Sequence, residues 1–97
     1  MDLYLYSIRN KTIKKVTPLN RGKTYDLTPL ESKLVEVLSN GKENTRKEIT
    51  EYVFGYYDRD TDYCLSTLKS RLLNKIKLHI KTIHDVGYKL NDIIYIE

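Results

Sequence analysis

Apolar and polar positions alternate from the start of the chain. Leu3 and Leu5, with Ser7 as a third candidate, alternate with Tyr4, Tyr6 and Ile8, and the run breaks at Arg9, Asn10 and Lys11. Period-two alternation closed by polar turn formers predicts two short strands joined at that turn. Beyond it Ile13 and Val16 sit in a Lys-rich segment, Pro18 and Gly22 punctuate, and Tyr25, Asp26 and Leu27 form another extended piece. A small antiparallel sheet of three or four strands is therefore expected ahead of any helix.

The period then changes. Thr28 offers an N-cap oxygen, Pro29 suits a first helical position, and Glu31 completes a capping box. Leu30, Leu34, Val37 and Leu38 recur at helical spacing and Asn40-Gly41 supplies a left-handed stop, which predicts helix one over residues 29–39. Thr45 and Glu48 form a second capping box, opening a short helix with Ile49, Tyr52 and Val53 on its apolar face and Gly55 at its end. The third helix, expected over residues 59–76 with Asp58 or Asp60 near its start, carries Leu65, Leu68, Leu72 and Ile76 as one apolar stripe. Arg59, Tyr63, Ser66, Thr67, Ser70, Arg71 and Asn74 fall on the opposite face, which has no carboxylate beyond its first turn. Residues 80–84 and 87–90 flank a turn at Asp85-Val86 and predict a β-hairpin. The apolar, β-branched tail Ile93, Ile94, Tyr95 and Ile96 either extends the hairpin or adds a strand elsewhere.

Ninety-seven residues, 40% hydrophobic and 31% charged, suit one α+β domain. Its expected parts are an N-terminal sheet (1–28), a three-helix core (29–76), and a hairpin with an extra tail (77–97). Seventeen Lys and Arg against thirteen Asp and Glu leave a net charge of +4, a mild bias toward a polyanionic partner. Cys64 is the single cysteine, so no internal disulfide is possible, an intracellular setting is the expectation, and the thiol is expected beside the apolar stripe as a small hydrophobe. No apolar run reaches a membrane span, and Met1-Asp2 does not open a leader peptide; a complete, cytoplasmic chain without a membrane partner is expected. Nine tyrosines beside one Phe and no Trp are expected at the margin of the core, with their hydroxyls wet.

Catalytic readings fail on the residues. There is no glycine-rich phosphate loop, no nucleophile motif and no convincing carboxylate pair, and the run of residues 58–62 lacks the glycine and distal glutamate of a calcium loop. His79, His84 and Cys64 have no compact metal spacing. Neither an enzyme nor a cofactor is expected.

Strands, three helices and a closing hairpin follow the order of a winged helix-turn-helix. Four blocks narrow the likeness: Leu27-Thr28-Pro29-Leu30-Glu31, Thr45-Arg46-Lys47-Glu48-Ile49, Val53-Phe54-Gly55, and Thr82-Ile83-His84-Asp85-Val86-Gly87-Tyr88-Lys89-Leu90. In order and spacing they resemble the effector domain of OmpR/PhoB-type response regulators, and the resemblance spans the chain to Leu90. It implies that helix three enters the major groove of duplex DNA, that the hairpin wing reaches the neighbouring minor groove, and that the loop 55–58 touches RNA polymerase. It also aligns Thr67 with a base-reading position that is commonly Arg or Asn, Lys69 with a phosphate-binding Arg, His84 with a wing Arg, and Phe54 with a position often held by Trp. These 97 residues leave no room for the receiver domain that usually precedes this module, so phosphorylation control is not expected to carry over.

The expected DNA contacts are Tyr63, Thr67, Ser70 and Arg71 toward base edges, with Arg59, Ser66 and Asn74 as further DNA contacts on the same face. Arg46, Lys47, Lys69, Lys75, Lys77 and Lys81 are candidates for phosphates, helped by exposed amides where helix two starts, and His84 and Lys89 for the wing contact. Short side chains discriminate bases less sharply than bidentate arginines, so modest sequence specificity is expected. Two half-sites imply two copies, joined through the sheet, through the tail, or only by DNA. The rival reading keeps the fold but uses the Tyr-rich sheet or the loop 55–57 to bind polymerase or another regulator.

Overall fold

The computed structural model describes residues 2–16 and 23–97; the punctuation expected at Pro18 and Gly22 lies outside them. The elements run β1 (Leu3–Ser7), β2 (Thr12–Lys15), β3 (Thr24–Asp26), α1 (Pro29–Leu38), β4 (Asn44–Thr45), α2 (Arg46–Phe54), α3 (Arg59–Lys75), β5 (Ile80–Ile83), β6 (Gly87–Leu90) and β7 (Ile93–Ile96). All three helices and the hairpin stand where the hydrophobic pattern puts them. Strand β5 stops one residue early, leaving His84 in the turn.

One sheet has the order β3-β2-β1-β7. Strand β1 pairs antiparallel with β2, setting Tyr6 opposite Ile13, and parallel with β7, setting Leu3 opposite Ile93. The tail thus adds a strand to the N-terminal sheet, which is mixed and not wholly antiparallel as expected. A polar clasp turns the chain there. The side chain of Asp92, fully buried, accepts from the amides of Asp2 at 3.1 Å and His79 at 2.6 Å and lies 2.9 Å from His79 Nδ1. The Ile93 amide then donates to Asp2 O and that of Glu97 to Tyr6 O, which seats β7 along β1.

Alternation along β1 sends Tyr4 and Tyr6 fully into the core, 2% and 0% exposed, and not to its margin. Each ring can go in because its hydroxyl finds an internal partner. Tyr4 donates to Lys77 O at 3.2 Å, and Tyr6 bonds Ser32 Oγ and Glu36 Oε1. Burial, reinforced by the nearby carboxylates of Asp92 and Asp2, pushes the Tyr4 hydroxyl up to about 12.

Helix α1 opens on the expected box: Thr28 Oγ1 accepts from the Glu31 amide, and Glu31 Oε1 accepts from the Thr28 amide. Its buried stripe is Glu31, Leu34, Val35 and Leu38, whereas Leu30, assigned to the apolar face, is 41% exposed. The cap is the reason. It holds Glu31 on the inward side, 2.6 Å from Lys75 Nζ at the end of α3, and Leu30 falls one step round the helix. Burial alone would raise the Glu31 carboxyl; Lys75 and the Thr28 bonds outweigh it and hold the group below its ordinary 4.5.

Helix α2 repeats the capping box with Thr45 and Glu48, and ends at Gly55 with φ +89°, a left-handed stop that favours glycine. Ile49, Thr50 and Val53 are buried, but Tyr52, expected on the same face, is 50% exposed. Helix α3 starts from Asp58, whose carboxylate accepts from the Thr61 amide, and buries Leu65, Leu68 and Leu72 above Ile76. Cys64, expected beside that stripe, is exposed.

The wing is three-stranded, in the order β4-β6-β5, because the two residues before α2 pair with β6. That pairing admits no side chain at Gly87: a Cβ there would lie 1.9 Å from Asn44 O and 2.9 Å from Arg46 N. Beside it Arg46 turns inward. Its Nε donates to Asp62 Oδ1 at 2.7 Å, and Nη2 donates to Asp62 O at 2.8 Å and Ser66 Oγ at 2.9 Å, both on α3. Its Nη1 donates to the Tyr88 hydroxyl on β6. One guanidinium therefore joins the start of α2, the outer side of α3 and the wing.

Two outcomes follow from these contacts. Replacing Gly87 with Ala must push β6 off the backbone of residues 44–46; a cost of about 1–3 kcal/mol is expected in urea unfolding, against no change if the strand is free to shift. Because Glu31 titrates lower in the folded chain, its contribution is complete above about pH 4.5 and is lost as pH falls toward its folded value. Urea midpoints of Glu31→Gln should be lower than wild type near neutral pH, with a shallower loss on acidification; parallel pH dependences would contradict this.

Candidate nucleic-acid interface

The outer face of α3 is open. Tyr63 is 74% exposed, Arg59, Ser66, Ser70 and Arg71 are exposed, and Thr67 is half-buried. Arg59 and Arg71 have no carboxylate within ion-pair distance among the described residues. The two serines are partly engaged: Ser66 Oγ accepts from Arg46, and Ser70 Oγ donates to Ser66 O at 3.1 Å. Asn74, placed on this face by the helical wheel, lines a cleft against the N-terminal sheet beside Tyr4 and Lys15.

The expected phosphate ligands divide among several places. Arg46 has its guanidinium committed to Asp62, Ser66 and Tyr88, with burial opposing its charge and the Asp62 bond more than restoring it. The amides expected to be open at the start of α2 are partly taken: Arg46 N donates to Val86 O at 3.1 Å and Glu48 N to Thr45 Oγ1 at 3.0 Å. Lys75 is held by Glu31 and Asp26 O, away from the wing. Lys77 and His79 open on the same side as Lys75, along the cleft that Asn74 lines.

Lys69 stands between α3 and the wing, its Nζ 3.2 Å from Thr82 Oγ1 and 4.4 Å from the centre of the Tyr88 ring, a cation held over an aromatic face. A groove of about 530 Å³ runs between the wing turn and the start of α2, lined by Lys47, Tyr57, Thr82 and His84 among others. His84 occupies the tip with its side chain 95% exposed and Nε2 3.1 Å from Asp85 Oδ2. Lys81 and Lys89 face each other across β5 and β6. Strand alternation puts them on the side of the wing away from Thr82 and Tyr88, which meet α3.

Asp62, Thr82 and Tyr88 were not singled out from the sequence, although they set how the wing sits on α3. Tyr88 belongs to the Gly87-Tyr88-Lys89-Leu90 block, but spacing along the chain says nothing of Arg46 reaching it 42 residues away. Among the described residues His79, His84 and Cys64 do not converge. The group with metal-ligand spacing is Asp2, His79 and Asp92, with ligand atoms within 4.8 Å of one another. Asp92 already accepts internal bonds on both oxygens and Lys15 Nζ is 3.5 Å from Asp2, so the group reads as the clasp that seats β7. No helix among the described residues is long and apolar enough to cross a membrane.

No protein-family model matches the chain, and no curated protein does. Solved structures do. The DNA-binding domain of Bacillus subtilis CssR is 26% identical, with 79% of this chain and 89% of that one covered and a TM-score of 0.64. The C-terminal DNA-binding domain of RstA from Klebsiella pneumoniae is 21% identical over 79% of this chain and 82% of that one, with a TM-score of 0.59. The DNA-binding domain of E. coli CadC is 20% identical over 86% and 80%, with a TM-score of 0.60. Three helices between an N-terminal sheet and a closing hairpin, together with these likenesses, give the chain the winged helix-turn-helix fold of OmpR/PhoB-type DNA-binding domains.

Proposed function

We propose that the chain is a DNA-binding transcriptional regulator that reads duplex DNA with α3 in the major groove and sets the wing on the adjacent minor groove or backbone. The observation that carries this reading is the outer face of α3, where, among the described residues, Arg59 and Arg71 have no carboxylate partner beside the exposed Tyr63. Arg71, Tyr63, Thr67 and Ser70 meet base edges, and Arg59, Lys69 and Lys47 meet phosphates. Ser66 takes a lesser part, since Arg46 engages its hydroxyl. Lys81 opposite Lys89 is a like-charge pair that costs stability in the free protein, and a nearby polyanion relieves it. His84, in the wing turn, has its side chain 95% exposed. The proteins of similar structure are named as DNA-binding domains, which supports the same ligand here. The reading requires no cofactor and no catalytic step, and it suits one domain acting in the cytoplasm.

Two copies on paired half-sites fit this mode of binding, with β7 as the strand edge available for a homodimer. A second reading rests on Tyr52, Tyr56 and Tyr57, which leave a cluster of exposed rings around the end of α2 and the loop 55–58. Such rings suit a protein partner, RNA polymerase included, without DNA contact.

Selection from a randomised duplex library at two salt concentrations separates the readings. Enrichment of a motif is expected, with affinity that falls as salt rises and drops by about tenfold or more in a Lys69→Ala, Arg71→Ala double variant. No binding by the folded wild type even at low salt would remove the DNA reading and favour a protein partner.

A further inference from the structure

On the side of the molecule away from the wing, a cleft of about 500 Å³ lies between the N-terminal sheet and the last turn of α3. That volume falls in the range of small-molecule sites. We infer that this cleft binds a small phosphate-bearing ring compound, a mononucleotide in chemical class, through Lys23 and Lys77 for the phosphate and Tyr25 and Asn74 for the ring.

Four lysines line it, but they are not equivalent. Lys15 is paired with Asp2 at 3.5 Å and Lys75 with Glu31 at 2.6 Å. Lys23 and Lys77 have no carboxylate within ion-pair distance among the described residues, so two lysines without a neutralising partner line the same cleft. Tyr25, half-buried, makes an aromatic wall with the Lys23 ammonium 5.2 Å from its ring centre. The Asn74 amide offers one acceptor and two donors, the set that ring nitrogens and exocyclic groups require.

The same walls argue against a bare anion. Asp2 lines the cleft, and the carbonyl end of α3, negative by its dipole, opens on it. Both weaken binding of inorganic phosphate, whereas stacking and amide contacts to a ring are indifferent to them. The site spans the N-terminal sheet and the α3 terminus, so its occupant bridges the two bodies whose packing sets the pose of α3.

The test is an amide chemical-shift titration of the full chain with each of the four ribonucleoside monophosphates, the matching nucleosides and inorganic phosphate. At least one monophosphate is expected to saturate with Kd below about 1 mM, shifting Lys23, Tyr25, Asn74 and Lys77, with nucleosides and phosphate weaker by about tenfold or more. A Lys23→Ala, Lys77→Ala double variant should keep the wild-type melting temperature and lose about tenfold in affinity or more. No response at the cleft with any monophosphate at about 10 mM would overturn the inference. So would shifts confined to the outer face of α3 and the wing, equal binding of inorganic phosphate, or wild-type affinity in the double variant.

Discussion

Strand β6 comes so close to the start of α2 that only a glycine fits between them, and the pose of the wing depends on that contact. Gly87 has the carbonyl of Asn44 where a Cβ would stand, and the amide of Arg46 donates to Val86 one residue earlier in the wing. Arg46 then carries the constraint onward, holding Asp62 and Ser66 of α3 with one edge of its guanidinium and Tyr88 of β6 with the other. Lys69 closes the same junction from α3, over the Tyr88 ring and against Thr82. In the proposed DNA-binding mode, a helix and a hairpin that meet one duplex in two grooves need a fixed mutual angle. Here that angle is held by backbone contact and a shared cation, beside Tyr88 and Leu90 of the wing, which are buried in the core.

The far side of the molecule is organised by a different device. Asp92 is buried on hydrogen bonds from Asp2 and His79, and this brings the tail back to β1 as a parallel strand. Tyr4 and Tyr6 beneath it bury rings whose hydroxyls end on Lys77, Ser32 and Glu36. The N-terminal sheet is therefore tied to α1 and to the end of α3 through polar groups set inside an apolar layer. Burial of such groups costs free energy unless each is bonded, and among the described residues no buried side-chain polar atom lacks a partner.

Local signals in the sequence carry most of the helical architecture, although Tyr52 and Cys64, expected on or beside apolar stripes, are exposed. Capping boxes at Thr28 and Thr45, the glycine stop at Gly55 and the Leu65, Leu68 and Leu72 stripe each act within one or two helical turns, and the helices follow them. Other placements are set by contacts distant along the chain. Glu31, held inward by its cap so that Leu30 stays out, is met there by Lys75, 44 residues later. The tail joins β1 through a carboxylate 90 residues from the amide it binds. Arg46 reads as a phosphate ligand by its place at a helix start, yet Asp62 and Tyr88 reach it first. The outer face of α3 was legible because a solvent-facing stripe is a matter of period alone. Asn74, exposed on the last turn of α3, also lines the cleft where the N-terminal sheet approaches it.

The most direct measurement is an amide chemical-shift map of the protein saturated with a mixed-sequence duplex at low salt. The largest shifts are expected at Tyr63, Thr67 and Arg71 on α3 and at His84 in the wing turn, with β1 and β2 unmoved. Shifts confined to the N-terminal sheet, or to the loop 55–58, would contradict the account.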